Sequence, residues 1–538
     1  MQPVLNVEDI KRVEVSLTRV GVSVSELMHR AGYAAAQEVL NLGGSIDNVV
    51  VLAGMGNNGG DGWVAAEALR SRNVNVKVIT PIEPDQISGD LARQMAQRAV
   101  RSGVSVLVGP PKTELADLLS TTDAVLDCML GTGFRGKVRA PFDIWIETLN
   151  ESGARVLAVD VPSGLNSQTG HAEGACVIAD MTVTMIALKP GLLADAGRDV
   201  CGSIVVAPLA EQTERLVVDA DPVAWRTDLE DYLTNIPAQL NDVDKFSRGS
   251  VLVVGGSSRF PGAVVMAARS AARAGAGYVT LAVPEAIVPI VQIQCPEIPV
   301  VGLPCDAEGV LTEDAVSSVA ELAGMRTVTL VGPGMRVSGG TVAVTSSLID
   351  SGLPLVVDAD ALNCIARLTN NNLSDFPEVT RRSAPLILTP HRRELGRLVG
   401  MLDTPPASLV EQLDASRKII WADGGSELVV VAKSAATACV GVQKAVLPKP
   451  GPATLATAGS GDVLSGIIAG RLALAGGASD DLPVFCALAC EVHAYAGQLA
   501  AEKFGTRGVL ASDISDAIGL AADTIEEQIA FPVDTMAE

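Results

Sequence analysis

Aromatic side chains are scarce in this chain of 538 residues: phenylalanine, tyrosine and tryptophan together make up 3%. Single-stranded nucleic acid is bound on stacked aromatic platforms, so the shortage argues against that role. Positive charge is also short, with 40 basic against 62 acidic residues and a net charge of −22. A field of that sign repels DNA, RNA and anionic lipid, and no basic run along the sequence overrides it. Any phosphate bound here must be held by backbone dipoles and a few placed cations. The four histidines lie far apart and the nine cysteines (128, 176, 201, 295, 305, 364, 439, 486 and 490) include no CxxC pair, which argues against zinc. An odd, scattered set of cysteines reads as free thiols in a reducing compartment. No uncharged apolar run approaches the ~18 residues that span a bilayer. Glu8, Asp9, Lys11, Arg12 and Glu14 leave no apolar signal core at the start. The expectation is a soluble protein of the cytoplasm with neither nucleic-acid nor membrane partners.

Glycine, by contrast, is plentiful at 52 residues, and it gathers in two segments of different design. One is Gly54-Met55-Gly56-Asn57-Asn58-Gly59-Gly60-Asp61-Gly62, directly after the apolar run 48–53. The other, Ala456-Thr457-Ala458-Gly459-Ser460-Gly461-Asp462, leads into the helix-like run 463–474. Each leaves side-chain-free backbone where a ligand approaches, ahead of a helix whose unpaired N–H groups favour anions. Two such cradles on one chain point to two sites for related phosphorylated ligands.

The first forty residues read as helix, with Leu27, Met28, Ala31, Ala34 and Ala35 on one face. Short β-branched runs then alternate with amphipathic or alanine-rich segments. They fall at 48–53, 74–80, 104–108, 124–129, 155–161, 181–188 and 203–208, and again at 250–254, 278–283, 327–331, 353–357, 385–388 and 428–432. Continuous apolar strands between helices predict parallel sheets covered on both faces, hence an α/β fold in each half. A chain of this length needs more than one core. The acidic stretch 211–244, with Pro222 and Pro237 and no glycine loop, marks the boundary. Residues 1–215 form one predicted domain and 228–530 the other; the two are not repeats.

In the first half, Asp127-Cys128-Met129-Leu130-Gly131-Thr132-Gly133-Phe134-Arg135-Gly136 and Asp160-Val161-Pro162-Ser163-Gly164-Leu165 each follow a predicted strand. Carboxyl ends of parallel strands are where open α/β sheets bind ligands, so three loops there predict a pocket. These residues resemble the NAD(P)H-hydrate epimerases of the YjeF N-terminal group. The resemblance covers about residues 1–215 and rests on Ser25-Glu26-Leu27-Met28 with Ala31-Gly32, the GNNGGDG segment, GTGF, DVPSG and Lys189-Pro190-Gly191. It implies a Rossmann-like three-layer domain that inverts C6 of a hydrated nicotinamide ring with K⁺ bound. It also implies that Asn57, Asn58, Gly59, Gly60, Asp61, Gly131, Thr132, Gly133, Phe134, Arg135, Gly136, Lys137 and Asp160 contact the dinucleotide. Asn58, Asp127 and Ser163, all hard oxygen donors, would ligate K⁺. Asp160 is the candidate base.

In the second half, 250–254 runs into Gly255-Gly256-Ser257-Ser258, and Pro261-Gly262-Ala263 opens a helix reaching Ala274. Further loops are Gly332-Pro333-Gly334, Asp358-Ala359-Asp360-Ala361-Leu362-Asn363, and Thr389-Pro390-His391 with Glu394. A lone His391 reads as a cap or core residue; its place at a strand's end favours function. The amides of Gly459, Ser460 and Gly461 form an expected anion hole for a transferring phosphoryl group. Asp462 is the expected proton acceptor, with an N-cap as the alternative. This half resembles the ADP- or ATP-dependent NAD(P)H-hydrate dehydratases, a ribokinase-like branch, over about residues 228–525. By that resemblance Ala263, Gly334, His391 and Asp462 contact the hydrated dinucleotide. Lys433, Ser434, Ala435, Ala436, Thr437 and Gly461 hold the nucleotide, which brings Mg²⁺. The chain departs from the family at Ser434, at Met335-Arg336 and at Pro452.

Both halves then serve one substrate. The epimerase interconverts R and S hydrates, NADHX or NADPHX, and the dehydratase returns S to NADH or NADPH. A nucleotide phosphorylates the C6 hydroxyl because phosphate leaves far more readily than hydroxide. The alternative is a ribokinase-like small-alcohol kinase with a non-catalytic N-terminal binding domain, which leaves GNNGGDG idle. Symmetric homo-oligomerisation is the base-rate expectation.

Overall fold

The computed structural model describes residues 1–235, 245, 247–373, 383–421 and 427–530, so part of the acidic stretch, 236–244, lies outside the described residues. The chain divides into two units. One is built mainly on Gln2–Val223, the other mainly on Ala224–Ala407 and the chain from Glu411 onward.

The first unit holds a seven-stranded sheet, parallel throughout, in the order Ser105–Val108, Asn75–Thr80, Asn48–Ala53, Ala124–Cys128, Arg155–Val159, Met181–Met185, Ser203–Ala207. The strands lie where the β-branched runs placed them, trimmed by a few residues at their ends. Both faces are covered, as all-parallel strands require. Leu27, Met28, Trp63 and Val64 pack on one side; Leu115, Trp145 and Ile146 pack on the other. The first forty residues correct the expectation of continuous helix. A short strand, Gln2–Val4, precedes two helices, Val7–Arg19 and Val24–Leu40. Gly21, at φ +100°, turns the chain between them. Ser23 then caps the second helix by accepting Glu26 N at 3.1 Å.

The second unit orders its strands Val300–Leu303, Tyr278–Pro284, Ser250–Val254, Val328–Val331, Leu355–Val357, Leu386–Leu388, Leu428–Ala432, Ala438–Val440, Ala445–Leu447, Ala224–Arg226. The run from Val300–Leu303 to Leu428–Ala432 is parallel. Ala438–Val440 and Ala445–Leu447 then add as antiparallel neighbours. These last two, with Ala224–Arg226 and Val300–Leu303, are strands that the sequence pattern misses. They are only three or four residues long, too short for a period to register. Helices Pro261–Arg273 and Ser460–Leu474 lie against each other at close range. A Cβ on Gly466 would sit 2.3 Å from Ala267 O, and one on Gly470 2.3 Å from Ala271 O. Helix Leu482–Phe504 is long and apolar enough to cross a membrane by length and composition. Most of it is buried within the unit, however, and it carries Glu491 and His493 in its buried stretch.

Candidate active sites

The strands of the first unit end at one sheet edge, and the chain after Ala53, Cys128 and Val159 meets there. Helix Asn57–Ser71 starts inside the glycine-rich segment, so Asn57 to Asp61 form its first turn and not a loop. The Asn57, Asn58 and Gly59 amides make no backbone hydrogen bond, the ordinary state of a helix N-terminus. Most of the glycines serve packing, which corrects the expectation that they admit a ligand. A Cβ on Gly54 would lie 1.9 Å from Met129 O, on Gly59 2.0 Å from Gly54 O, and on Gly62 2.7 Å from Cys128 Cβ. Gly60 is closed off by the Met28 thioether at 2.6 Å; Gly56 faces open space.

A cavity of about 730 Å³ opens above this edge. Of the predicted contacts, Asn57, Asn58, Asp61, Gly131, Thr132, Gly133, Phe134 and Asp160 line it, whereas Gly59, Gly60, Arg135, Gly136 and Lys137 do not. The Arg135 guanidinium donates to Thr132 O at 2.8 Å and Phe134 O at 2.6 Å, closing the loop upon itself. The Lys137 stem packs against Gly174.

Asp160 stands at φ +70°, just past the end of strand Arg155–Val159. Left-handed backbone is costly outside glycine, and such strain gathers at working sites. Its N–H donates to Val183 O at 2.7 Å, and the reversal delivers its carboxylate to the cavity. Behind it lies Lys189, fully buried. Lys189 Nζ donates to Asp160 Oδ1 at 2.6 Å, Thr184 Oγ1 at 2.6 Å and Met185 O at 3.1 Å, so its three donors are satisfied. Sequence reasoning marked Lys189 only as part of Lys-Pro-Gly and missed this pair. Two more carboxyl groups line the cavity. Burial, then Asp160, pushes Asp61 well above the usual carboxylate range, and the same two causes raise Glu14.

Asp127, Ser163 and Asn58 come together beneath the cavity. Asp127 Oδ1 accepts Ser163 Oγ at 2.6 Å and Oδ2 accepts Ser163 N at 2.7 Å. Burial lifts Asp127 to about 6 in spite of these hydrogen bonds. Asn58 Nδ2 donates to Leu130 O at 3.0 Å, while its buried Oδ1 has no partner. The orphaned Asn58 oxygen, with Asn58 and Ser163 both reaching Leu130 O and Ser163 bonded to Asp127, leaves hard oxygen donors of the type a hard cation takes.

In the second unit, Asp358, Thr389 and Lys433 lie immediately past three neighbouring strands. Lys433 Nζ lies 2.6 Å from Asp358 Oδ1, which also accepts Thr389 Oγ1 at 2.7 Å. Burial alone would lower the Lys433 ammonium, but Asp358 and then Glu394 overturn that and raise it. A Cβ on Gly461 would sit 3.3 Å from Lys433 Nζ, so the N-terminus of helix Ser460–Leu474 abuts this charge. Asp462, in that first turn, is lifted to about 7, first by burial and then by Asp358. It stands three residues past the cap position, which removes the N-cap alternative. Gly459 takes the cap position at φ +91°. The anion hole needs one correction: Ser460 N already donates to Thr457 O at 3.2 Å, while the Gly461 and Asp462 amides have no backbone acceptor. Ser460 Oγ lies 3.1 Å from His493 Nε2, a buried imidazole lowered to about 4 by burial and then by Lys433.

His391 caps helix Arg392–Leu398. Its Nδ1 accepts the Arg393 and Glu394 amides at 3.1 and 3.2 Å, while Glu394 Oε2 accepts His391 N at 2.9 Å. That uses Nδ1 as acceptor and leaves the proton on Nε2, 3.3 Å from Glu394 Oε1. Burial moves Glu394 up to about 7 and, followed by Lys433, moves His391 down. Gly334 and Ala263 adjoin, a Cβ on the former falling 3.1 Å from that of the latter. The segment from Lys433 to Thr437 turns back on itself: Ser434 Oγ accepts Ala436 N at 3.1 Å, and Thr437 Oγ1 donates to Ser434 O at 3.0 Å. Ser434 thus has a local role that glycine could not fill. Arg336 stands at φ +60°, a conformation suited to glycine; its N–H donates to Asp360 Oδ2 at 2.8 Å and its guanidinium pairs with Glu308 at 2.9 Å. Pro452 takes the cap position of the short 3-10 turn Ala453–Leu455 in extended backbone.

Comparison with known proteins finds two families. The model of the YjeF-related protein N-terminus matches residues 24–191, and that of NAD(P)H-hydrate dehydratase matches 251–520. The bifunctional NAD(P)H-hydrate repair enzyme Nnr of Coxiella burnetii is 35% identical over 507 residues, covering 93% of this chain and 95% of that one. Its namesake in Thermofilum pendens is 33% identical over 515 residues, covering 93% of each chain. Among solved structures, ADP/ATP-dependent NAD(P)H-hydrate dehydratase from Bacillus subtilis, co-crystallised with ATP and Mg²⁺, aligns with 55% of this chain and 97% of its own. Its identity is 24% and its TM-score 0.44.

Proposed function

The chain belongs to the bifunctional NAD(P)H-hydrate repair enzymes, and from that premise we infer how its two units divide the work. Residues 1–215 epimerise R- and S-NAD(P)HX at C6. Residues 228–530 dehydrate the S form to NAD(P)H, coupled to cleavage of ADP or ATP into AMP or ADP and orthophosphate. The observation that carries this reading is that one chain holds two separate carboxylate–ammonium pairs, Asp160–Lys189 and Asp358–Lys433, each beside an unpaired helix N-terminus.

In the dehydratase, Asp462 takes the proton of the C6 hydroxyl as that oxygen attacks the terminal phosphorus of the nucleotide. A carboxyl group near 7 suits the task, since a base works best with its pKa near the working pH. Lys433 and the Gly461 and Asp462 amides balance the charge on the equatorial oxygens. Phosphate then leaves C6 with the C6–O bonding pair, a proton is lost from C5, and the C5–H electron pair becomes the returning double bond. Ser434, Ala435, Ala436, Thr437 and Gly461 hold the nucleotide; Ala263, Gly334 and His391 hold the hydrated dinucleotide. Mg²⁺ travels with the nucleotide's own phosphates. In the epimerase, Asp160, steadied by Lys189, removes the hydroxyl proton, and Asn57, Asn58, Asp61 and residues Gly131 to Phe134 orient the ring. Asn58, Asp127 and Ser163 would hold K⁺, which when bound supplies a fixed positive charge beside the ring-end loops.

Mixed R and S hydrates incubated with ADP or ATP should regain the absorbance of reduced nicotinamide completely, with release of orthophosphate. A stable phosphorylated product instead would favour a kinase. For the cation, Asp127→Ala should slow R-to-S exchange about 10²-fold, the usual cost of a misplaced site, and abolish its response to K⁺. Exchange is followed by chromatography without nucleotide, in K⁺ and in K⁺-free buffer. Dehydration of pure S hydrate should be unchanged, because its site belongs to the other unit. Equal exchange in both buffers for wild type and variant would remove the cation from the account.

A further inference from the structure

Beside the dehydratase loops lies a shallow, open cavity of about 450 Å³ whose ionisable lining is two exposed arginines, Arg367 and Arg397. In a chain of net charge −22 such a spot is unusual. The two stand thirty positions apart, so no basic run announces them. Among the described residues neither has a carboxylate within ion-pair distance. Arg397 makes one hydrogen bond, Nη1 to Asn363 Oδ1 at 2.7 Å, and the rest of its fork is uncommitted. Asn370 and Asn371 add side-chain amides to the same wall.

The position ties this cavity to the substrate. Val337, on its rim, follows Gly334 by three residues, and Asn363 closes the segment that begins at Asp358. Arg397 lies on the helix that His391 caps, about 9 Å along the axis at 1.5 Å per residue. A hydrogen-bond chain joins these parts: Arg397 to Asn363, Asn363 Nδ2 to Asp360 at 3.4 Å, and Asp360 from Arg336 N at 2.8 Å.

We propose that this cavity receives a phosphate monoester, the 2′-phosphate that distinguishes NADPHX from NADHX, and so sets a preference for the phosphorylated dinucleotide. The proposal rests on the repair reading above. Guanidinium forks match the terminal oxygens of a dianionic monoester, and an arginine is a known means of accommodating a 2′-phosphate. A diphosphate bridge, in contrast, is held in such folds by backbone N–H groups of glycine turns and helix N-termini. Here the Gly255, Gly256 and Gly332 amides already donate to Ala282 O, Pro333 O and Val254 O, and the Gly334 amide has no backbone acceptor among the described residues, while the donors of the arginine cavity are side chains.

The test compares steady-state dehydration of S-NADPHX and S-NADHX by the full-length enzyme and by Arg367→Glu and Arg367→Lys. Arg367→Glu should raise KM for NADPHX at least tenfold with kcat kept, leave KM for NADHX unchanged, and weaken inhibition by adenosine 2′,5′-bisphosphate. Arg367→Lys should restore most of the loss. Equal effects on both hydrates would assign the cavity to the shared diphosphate or to structure, and overturn the proposal. So would no effect on either, or unchanged inhibition by the bisphosphate. Wild type that dehydrates neither hydrate would instead overturn the parent reading.

Discussion

Asp462→Asn should lower S-hydrate dehydration by about 10²–10⁴-fold, the contribution expected of a positioned general base. The reason lies in where Asp462 sits. Burial and the neighbouring Asp358 lift its carboxyl to about 7, with Lys433 pulling the other way. The base is competent only when ionised, so wild-type turnover should rise tenfold per pH unit below about 7 and level off above it. Asparagine keeps the shape and removes both the base and this limb of the profile. The Gly461 and Asp462 amides and Lys433 survive the change, so nucleotide affinity measured by calorimetry should stay within a few-fold of wild type. R-to-S exchange should not respond at all. Glu394 also titrates near 7 beside the same ammonium, and Glu394→Gln is the control. That residue holds the His391 ring and its backbone, so its loss should raise KM for the hydrate while the alkaline rise remains. Near-normal turnover by Asp462→Asn would reduce the aspartate to a bystander at the helix start.

What was legible in the sequence were the features carried by local pattern. Runs such as Val49 to Leu52 and Val251 to Val254 are continuous and β-branched because strands of a parallel sheet are buried on both sides. From those strands the carboxyl-end loops follow, and with them Asp127, Asp160, Asp358 and His391. His391 followed three residues later by Glu394 also matches the form of a capping box, a signal that would have anticipated its hydrogen bonding. Pairings across long separations left no such trace. Asp160 and Lys189 are 29 residues apart, Asp358 and Lys433 are 75, and His493 reaches Ser460 from a helix that reads as plain core. The glycines of GNNGGDG misled for a related reason. A missing side chain looks the same in sequence whether a ligand or a neighbouring backbone fills the space. Only the contacts of Gly54 with Met129 and of Gly62 with Cys128 distinguish the two.

The pair behind the epimerase cavity should prove the most sensitive point of the first unit. Lys189 is wholly buried and gives its three protons to Asp160, Thr184 and Met185. Lys189→Met keeps the stem and deletes the charge, leaving three acceptors unmatched and one carboxylate without its counter-ion. Breaking a buried pair from one side costs about 3–5 kcal/mol. Asp160 opens on the cavity and can take up water there, so about 3 kcal/mol, the low end, is expected. Thermal unfolding should show that loss in the first unit alone. Epimerisation should fall about 10²-fold or more, since Oδ1 of the base is no longer fixed. A lone stability effect would not establish that the pair works as a pair. The double variant Asp160→Asn, Lys189→Met supplies that test, because removing both charges should recover much of the stability while activity stays lost. Recovery of stability without activity would mark Lys189 as the positioning partner of a base. If Lys189→Met alone epimerises at the wild-type rate, the ammonium is packing, and Asp160 works without a positioning partner.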